Sequence, residues 1–197
     1  MSSRYINIHT HRPTGLNTEL RVRGTHPWAA TSAEAELPLA LSAEDQAVGE
    51  IGLDFACAVP RENQKAVFRR QLQVVRERNL PVVLHCVRAF NEVMRILREE
   101  RIQVAIFHGF IGSKEQAAEA VRRGFYLSFG LRTFRSPKTC EALRLVPLDH
   151  LFLETDDDDV TIKEIYRRAA AIRGVSVTEL QDACIRNYKL IFETNNG

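Results

Sequence analysis

No stretch of the 197-residue chain approaches the roughly 20 consecutive apolar residues that span a bilayer, so no transmembrane helix is expected. The opening Met1-Ser2-Ser3-Arg4-Tyr5 carries no apolar signal-like segment, and a cytoplasmic location is the expectation. The four cysteines, Cys57, Cys86, Cys140 and Cys184, lie far apart and form no CxxC, which removes the usual zinc-ribbon and disulfide-scaffold readings. They read as reduced packing residues, with Cys86 of interest because it adjoins a candidate metal ligand. No GxGxxG or GxxxxGK[ST] follows any predicted strand, so the phosphate-loop versions of an open α/β sheet lose their support. Linkers, low-complexity tracts and internal repeats are also missing, and residues 1–197 read as a single domain. Lysine is scarce. Of 27 basic residues only 5 are Lys, and the remaining 22 are Arg, which grip carboxylate or phosphate bidentately; genomic base composition produces the same bias.

What is present is an ordinary globular composition, 45% apolar and 26% charged, arranged as short β-rich runs alternating with amphipathic stretches. Strands are expected at residues 5–9, 20–25, 47–53, 81–87, 104–108, 125–129 and 151–155. Residues 62–78 set Val67, Leu72 and Val75 on one helical face with Arg and Gln opposite, and Asn79-Leu80-Pro81 stops the helix. Residues 89–101 repeat the pattern. Ser113 caps a helix over 114–123, Ser136-Pro137 opens another, Thr161 starts one over 162–173, and Ser176-Val177-Thr178-Glu179 is a capping box for the last. Strand–helix alternation implies parallel strands joined by right-handed crossovers. Between Arg12 and Gly24 the connection is too short for a crossover helix, so parallel pairing of the first two strands is doubtful; the second strand is antiparallel, or the sheet is incomplete there.

The histidines carry the chemistry. His9-Thr10-His11, His85 and His108 each end a predicted strand, Glu50 lies in a fourth, and Glu154-Thr155-Asp156 ends a fifth. In parallel α/β folds the carboxyl ends of strands share one rim, where sites are built. His9 and His11, two apart on a strand, point to one side. With Glu50, His85, His108 and Asp156 they make six imidazole and carboxylate ligands, enough for two divalent ions with positions left for water and substrate. Glu50 can bridge two ions, and Asp156 is both a ligand and a candidate general base. Asp54 and Glu154 are candidates for holding ligands in place, or ordinary turn and cap residues. His26 supports the site, contacts substrate or packs beside Trp28. His150 enters its strand and is expected to be structural. Arg12, Arg88, Arg132 and Arg135, with Lys138, suit a phosphate-bearing substrate, or are exposed loop residues. Asp156-Asp157-Asp158-Asp159 reads as one ligand followed by a solvated helix start.

These residues resemble the TatD family of metal-dependent hydrolases, within the amidohydrolase-like metal-dependent TIM barrels. The matching pieces are Ile8-His9-Thr10-His11, Gly24-Thr25-His26-Pro27-Trp28, Gly49-Glu50-Ile51-Gly52-Leu53-Asp54, Pro81-Val82-Val83-Leu84-His85-Cys86, Phe107-His108-Gly109-Phe110-Ile111-Gly112 and Leu153-Glu154-Thr155-Asp156, in family order over almost the whole chain. The resemblance implies a TIM-barrel-like α/β fold and a binuclear divalent-metal centre held by His9, His11, Glu50, His85, His108 and Asp156. It also implies ester hydrolysis by water that the metal activates, with a phosphodiesterase or deoxyribonuclease activity on a nucleic-acid or other phosphoester substrate. Hydrolysis of amides, lactones or carboxylic esters on the same centre is the alternative, and a non-catalytic barrel scaffold is the third. Zn, Mg, Mn, Fe, Co and Ni all suit such ligands. The chain departs from the family between His11 and Thr25, where a helix–strand–helix portion is absent, which implies a truncated or irregular barrel of about seven strands. It departs again after Asp156, where an acidic run replaces a Pro-containing loop and disfavours extended DNA.

Overall fold

The computed structural model describes residues 5–32 and 41–193. In chain order the elements are β1 (Ile6–Asn7), β2 (Thr18–Glu19), β3 (Val22–Arg23), β4 (Ala47–Asp54), α1 (Arg61–Arg78), β5 (Val82–Val87), α2 (Phe90–Glu99), β6 (Ala105–Phe107), α3 (Lys114–Arg122), β7 (Tyr126–Phe129), α4 (Pro137–Leu145), β8 (Leu151–Leu153), α5 (Ile162–Arg173) and α6 (Val177–Phe192). Each strand pairing found in the two units described below is parallel. The helix ends follow the sequence signals. Asn79 closes α1 in the left-handed conformation, Ser113 and Ser176 build capping boxes with Gln116 and Glu179, and Ser136 and Thr161 cap α4 and α5.

The chain divides into two compact units, Met1–Leu20 with His108–Gly197, and Arg21–Phe107. In the second of these, β3, β4, β5 and β6 pair in that order. Val48, Ile51 and Leu53 of β4 and Val82, Val83 and Leu84 of β5 are buried, as are Val67, Phe68, Leu72 and Val75 of α1. Each such side chain contributes about 1.5–3 kcal/mol by leaving water. The register between β4 and β5 shifts between Val48 and Ile51, and Glu50 lies in that irregular stretch. Gly52, at φ +141°, is where the strands close in: a Cβ there would meet the His85 carbonyl oxygen at 2.1 Å.

One feature of α1 corrects the amphipathic pattern. Gln64 and Gln71 are buried with the apolar face rather than solvated opposite it. Their carboxamides close on main chain. Gln64 accepts from the Asp54 N–H at 2.7 Å and donates to the Asp54 and Val59 carbonyls, while Gln71 accepts from the Thr25 N–H at 2.6 Å and donates to the Thr25 carbonyl. Two glutamines seven residues apart on one helix thus hold the end of β4 at Asp54 and the loop that leads to His26.

In the other unit β1 pairs with β2 and β7 pairs with β8. The segment after β1 runs alongside the end of β8, with Ile8 N–H donating to the Leu153 carbonyl and a parallel bridge between Thr10 and Asp156. Ile6 and Ile8, Leu127 and Phe129, and Leu151 to Leu153 are buried together with Ile165 and Tyr166 of α5 and Leu180 and Cys184 of α6. The Tyr166 hydroxyl donates to the Ile6 carbonyl at 3.0 Å, which ties α5 to β1.

The doubt over direct pairing of the first two expected strands holds, since Val22–Arg23, inside the second, pairs with β4; the antiparallel alternative is not found, and a short strand just before it pairs parallel with β1. Ile6 faces Thr18 and Asn7 faces Glu19 in parallel register. The crossover needs no helix, because the Glu19 carboxylate accepts from the Thr14 and Gly15 amides and the Thr14 hydroxyl at 2.7–3.1 Å and organises the connecting loop. The strand expected over 20–25 is formed only at Val22–Arg23, and a further short strand, Thr18–Glu19, precedes it. Thr18–Glu19 pairs with β1 and Val22–Arg23 pairs with β4, so about seven expected strands become eight described ones.

Candidate metal centre

In the unit holding both chain ends, five of the residues singled out by sequence come together. His9 and His11 follow β1, His108 follows β6, and Glu154 and Asp156 follow β8. The Nε2 atoms of His9 and His11 lie 3.7 and 3.5 Å from the same oxygen, Oδ1 of Asp156. Two backbone bonds lock that arrangement: Asp156 N–H donates to the His9 carbonyl, and His11 N–H donates to the Asp156 carbonyl. Asp156 itself sits at φ +54°, a left-handed conformation that turns its side chain out of the strand direction. His108 Nδ1 lies 3.3 Å from Oε1 of Glu154, which also accepts from the Gly109 amide at 2.7 Å. The imidazoles of His9 and His108 pack with centroids 4.3 Å apart. In each of the groups His9–His11–Asp156 and His108–Glu154–Asp156, one candidate ligand atom per residue lies within 4.8 Å of the others.

Electrostatics distinguishes the two carboxylates. Burial works to raise Glu154, but the hydrogen bond and charge of His108, with the charge of His9, hold it below the usual carboxylate range. Asp156 is pushed the other way, first by burial and then by the nearby Glu154 charge, which His108 and His9 only partly offset. Among the described residues no donor hydrogen-bonds the Asp156 carboxylate, and Oε2 of Glu154 is buried without a hydrogen-bond partner. Imidazole nitrogens and undersatisfied carboxylate oxygens within ligand distance of one another are what a divalent cation requires, so these residues fit a metal.

The unit formed by Arg21–Phe107 holds the second group. Glu50 comes from β4, His85 from β5, and His26 caps the 3-10 turn Pro27–Ala29. His85 Nδ1 lies 2.7 Å from Glu50 Oε1, and its Nε2 lies 3.3 Å from Asp54 Oδ2. A neutral imidazole has one N–H and can donate to only one of these carboxylates. A divalent cation or a second proton would satisfy what that leaves, so Glu50 and His85 also fit a metal. His26 Nδ1 accepts from the Trp28 amide at 3.2 Å, which leaves the proton on Nε2, 3.4 Å from Glu50 Oε1. In this tautomer His26 is a donor towards Glu50, while one candidate ligand atom each of His26, Glu50 and His85 lies within 4.8 Å of the others. Asp54 is fully engaged. Its Oδ2 accepts from the Trp28 indole N–H at 2.7 Å and its Oδ1 from the Ala56 amide at 2.8 Å. Burial works to raise its carboxyl, but these bonds and His85 hold it below the usual carboxylate range.

The expected cationic residues are placed differently. Arg12, Arg88, Arg132 and Arg135 are all exposed. Arg132 pairs at 3.5 Å with Asp157 of the acidic run, and Arg12 lines a cleft of about 1030 Å³ with Asn7, Thr155, Asp158 and Gln181. No hydrogen bond or ion pair of the described residues joins the Arg88 or Arg135 side chain to either group. His150 takes its expected structural role, with Nδ1 3.0 Å from the Phe125 carbonyl oxygen. All four cysteines are free, and burial, with the Asp54 charge, pushes the Cys86 thiol up to about 12. Sequence reasoning missed Gln64 and Gln71 as holders of the main chain at the site; their only signal is a seven-residue spacing on one helix.

The TatD-related DNase family model matches residues 20–193. The chain belongs to the TatD family. Among its relatives are the uncharacterized metal-dependent hydrolase YabD of Bacillus subtilis (strain 168), 33% identical over 79% of this chain and 69% of that one, and the 3'-5' ssDNA/RNA exonuclease TatD of Escherichia fergusonii, 34% identical over 74% and 62%. The chain thus spans only about six to seven tenths of the length of these curated relatives. Among solved structures it superposes on the TatD homologue YjjV of Escherichia coli K12 with a TM-score of 0.81, 21% identity, and coverage of 98% of this chain and 99% of that one. A TatD family hydrolase of Entamoeba histolytica gives 0.76, 16% identity, 90% and 75%. These likenesses show the TIM-barrel-like α/β fold of this TatD chain, as its strand–helix alternation predicts. No helix of the described residues is long and apolar enough to cross a membrane.

Proposed function

We propose that this chain, as one hydrolase domain, is a metal-dependent hydrolase of phosphoesters, a phosphodiesterase or deoxyribonuclease of TatD type, acting in the cytoplasm. The observation that carries the reading is Asp156: a carboxylate with no hydrogen-bond donor among the described residues, set within 3.5–3.7 Å of two imidazole nitrogens. The proposed ligands are His9, His11, Glu50, His85, His108 and Asp156. The donor set accepts Zn, Mn, Fe, Co or Ni, and Mg where carboxylate and water dominate. A divalent cation held there supplies Lewis acidity, polarising a phosphoryl oxygen and making water more acidic.

The chain's own residues complete the chemistry. Asp156, unencumbered by donors, takes the proton of the attacking water at an Oδ atom. Glu154 orients His108 and Asp54 orients His85, each through a ring nitrogen, so that the opposite nitrogen faces the reaction. His26 presents its Nε2–H to Glu50 or to a substrate oxygen. Arg12, Arg88, Arg132 and Arg135 supply positive charge for the phosphate. The relatives named as exonucleases and as deoxyribonucleases support a nucleic-acid ester as the substrate class. The acidic residues Asp157, Asp158 and Asp159, one of them already paired with Arg132, favour a second reading, a small uncharged carboxylic ester or lactone. A screen on single-stranded DNA, bis-nitrophenyl phosphate and simple esters, before and after chelation and metal add-back, tests both. The reading fails if hydrolysis survives both chelation and Glu50→Ala.

A further inference from the structure

Trp28 is the chain's single tryptophan, and 61% of it is exposed. A lone exposed aromatic needs no explanation by itself. This one differs in three ways. Its indole N–H donates to Asp54 Oδ2 at 2.7 Å, so the ring is held rather than free to rotate. Its backbone lies in the 3-10 turn that Pro27 opens and His26 caps, so the main chain is held too. Its neighbours are the imidazoles of His26 and His85, with centroids 4.7 and 6.1 Å away and interplanar angles of 81° and 71°. Both rings stand steeply to the indole and neither is stacked parallel on it, and most of the side chain stays exposed.

A large flat π-surface, fixed in orientation and exposed beside the Glu50–His85 pair, has the properties of a stacking platform. Nucleobases stack on such surfaces whatever their sequence, because every base offers a π-face. Holding the ring beforehand removes the ordering cost that a mobile side chain would meet on binding. We propose that Trp28 is the surface on which a base of the substrate stacks, next to the ester that is cut. The proposal rests on the phosphoester reading above and narrows it to esters that carry a nucleobase. The Asp54 carboxylate, which faces both the indole N–H and His85 Nε2, fixes the position of that base relative to the metal ligands.

Because no other tryptophan contributes, the indole emission of the intact protein reports on this residue alone. The experiment titrates the metal-free protein with thymidine monophosphate, with a short oligothymidylate and with deoxyribose 5-phosphate, exciting at the red edge of the indole band, beyond base absorption. Saturable quenching by the two base-bearing ligands and none by the sugar phosphate is the expected result. Equal quenching by all three, or no quenching by any, overturns the stacking role. In parallel, Trp28→Ala raises KM for an oligothymidylate between about fivefold and a hundredfold, and Trp28→Phe, which keeps a ring but loses the N–H, restores part of that loss. An unchanged KM in Trp28→Ala also overturns it. Metal-dependent cleavage of the oligonucleotide without any change in indole emission sinks the platform and leaves the phosphoesterase reading standing. Failure of the metal-loaded protein to cleave any phosphoester sinks that reading instead.

Discussion

Asp54 and Asp156 are both aspartates beside histidines, one in each compact unit, and their surroundings treat them in opposite ways. Asp54 receives an indole N–H and a backbone amide, its own amide is held by buried Gln64, and its carboxyl is held below the usual range. Asp156 receives no donor among the described residues, shares its neighbourhood with the charge of Glu154, and its carboxyl is pushed up. The first is a finished electrostatic arrangement that stabilises a negative charge without help. The second holds a negative charge for which the described residues supply no hydrogen-bond donor, a place suited to a cation or a proton. Residue type and strand-end position are alike in the two; the supply of donors separates a holder from a ligand.

The contrast can be broken most directly by exchanging each carboxylate for its amide. Asp156→Asn should lower phosphodiester turnover by about a thousandfold, the scale of several kcal/mol of lost electrostatic and proton-transfer assistance, whereas Asp54→Asn should cost about 10- to 100-fold. Steady-state kinetics on bis-nitrophenyl phosphate checks both, and equal losses would erase the distinction. Next in size is the response to metal. Divalent ion at about a hundred times its Kd should stabilise the wild-type protein by about 2.7 kcal/mol, a rise in Tm of about 5–10 °C, and Asp156→Asn should lose most of that rise in a thermal melt.

A smaller effect concerns the supports. Gln71→Leu removes the carboxamide from the buried Thr25 amide and carbonyl, at about 1–3 kcal/mol for each group left without a partner, and lowers the urea midpoint without changing m. The smallest effect sharpens the contrast by its sign. In metal-free protein near neutral pH, Asp54→Asn should lower Tm and Asp156→Asn should raise it, each by roughly a degree or two. The wild-type advantage over Asp54→Asn is present above the unfolded aspartate value of about 3.9 and disappears as pH falls through the depressed folded value. The Asp156→Asn advantage over wild type runs the opposite way: it is absent in acid, where both forms are neutral, and develops as pH rises through the aspartate range. Thermal melts in chelator across that range read both curves.

Much of the fold and of the candidate site is legible in short stretches of sequence. Helix starts follow Ser113, Ser136, Thr161 and Ser176 because capping is local chemistry, satisfied within four residues. The histidines and acids at strand ends can be picked out because alternation and turn residues mark where strands stop. The early connection hides the short strand Thr18–Glu19 because the Glu19 carboxylate, not a helix, organises it, and a side chain bonding back to three donors leaves no periodic trace. Polarity alone assigns Gln64 and Gln71 to the wet side of α1, yet both are buried, since carboxamides can satisfy distant backbone as well as water can.

The order of residues by itself determined the α/β alternation, the membership of the TatD family and the short list of imidazoles and carboxylates. These depend on periodicity and residue type, which one-dimensional spacing carries. Which carboxylate is saturated with donors, which tautomer His26 adopts and which way Trp28 is held were decided only by tertiary structure. Each depends on how side chains meet once the chain has folded, and the strength of a buried charge is set by what surrounds it in space.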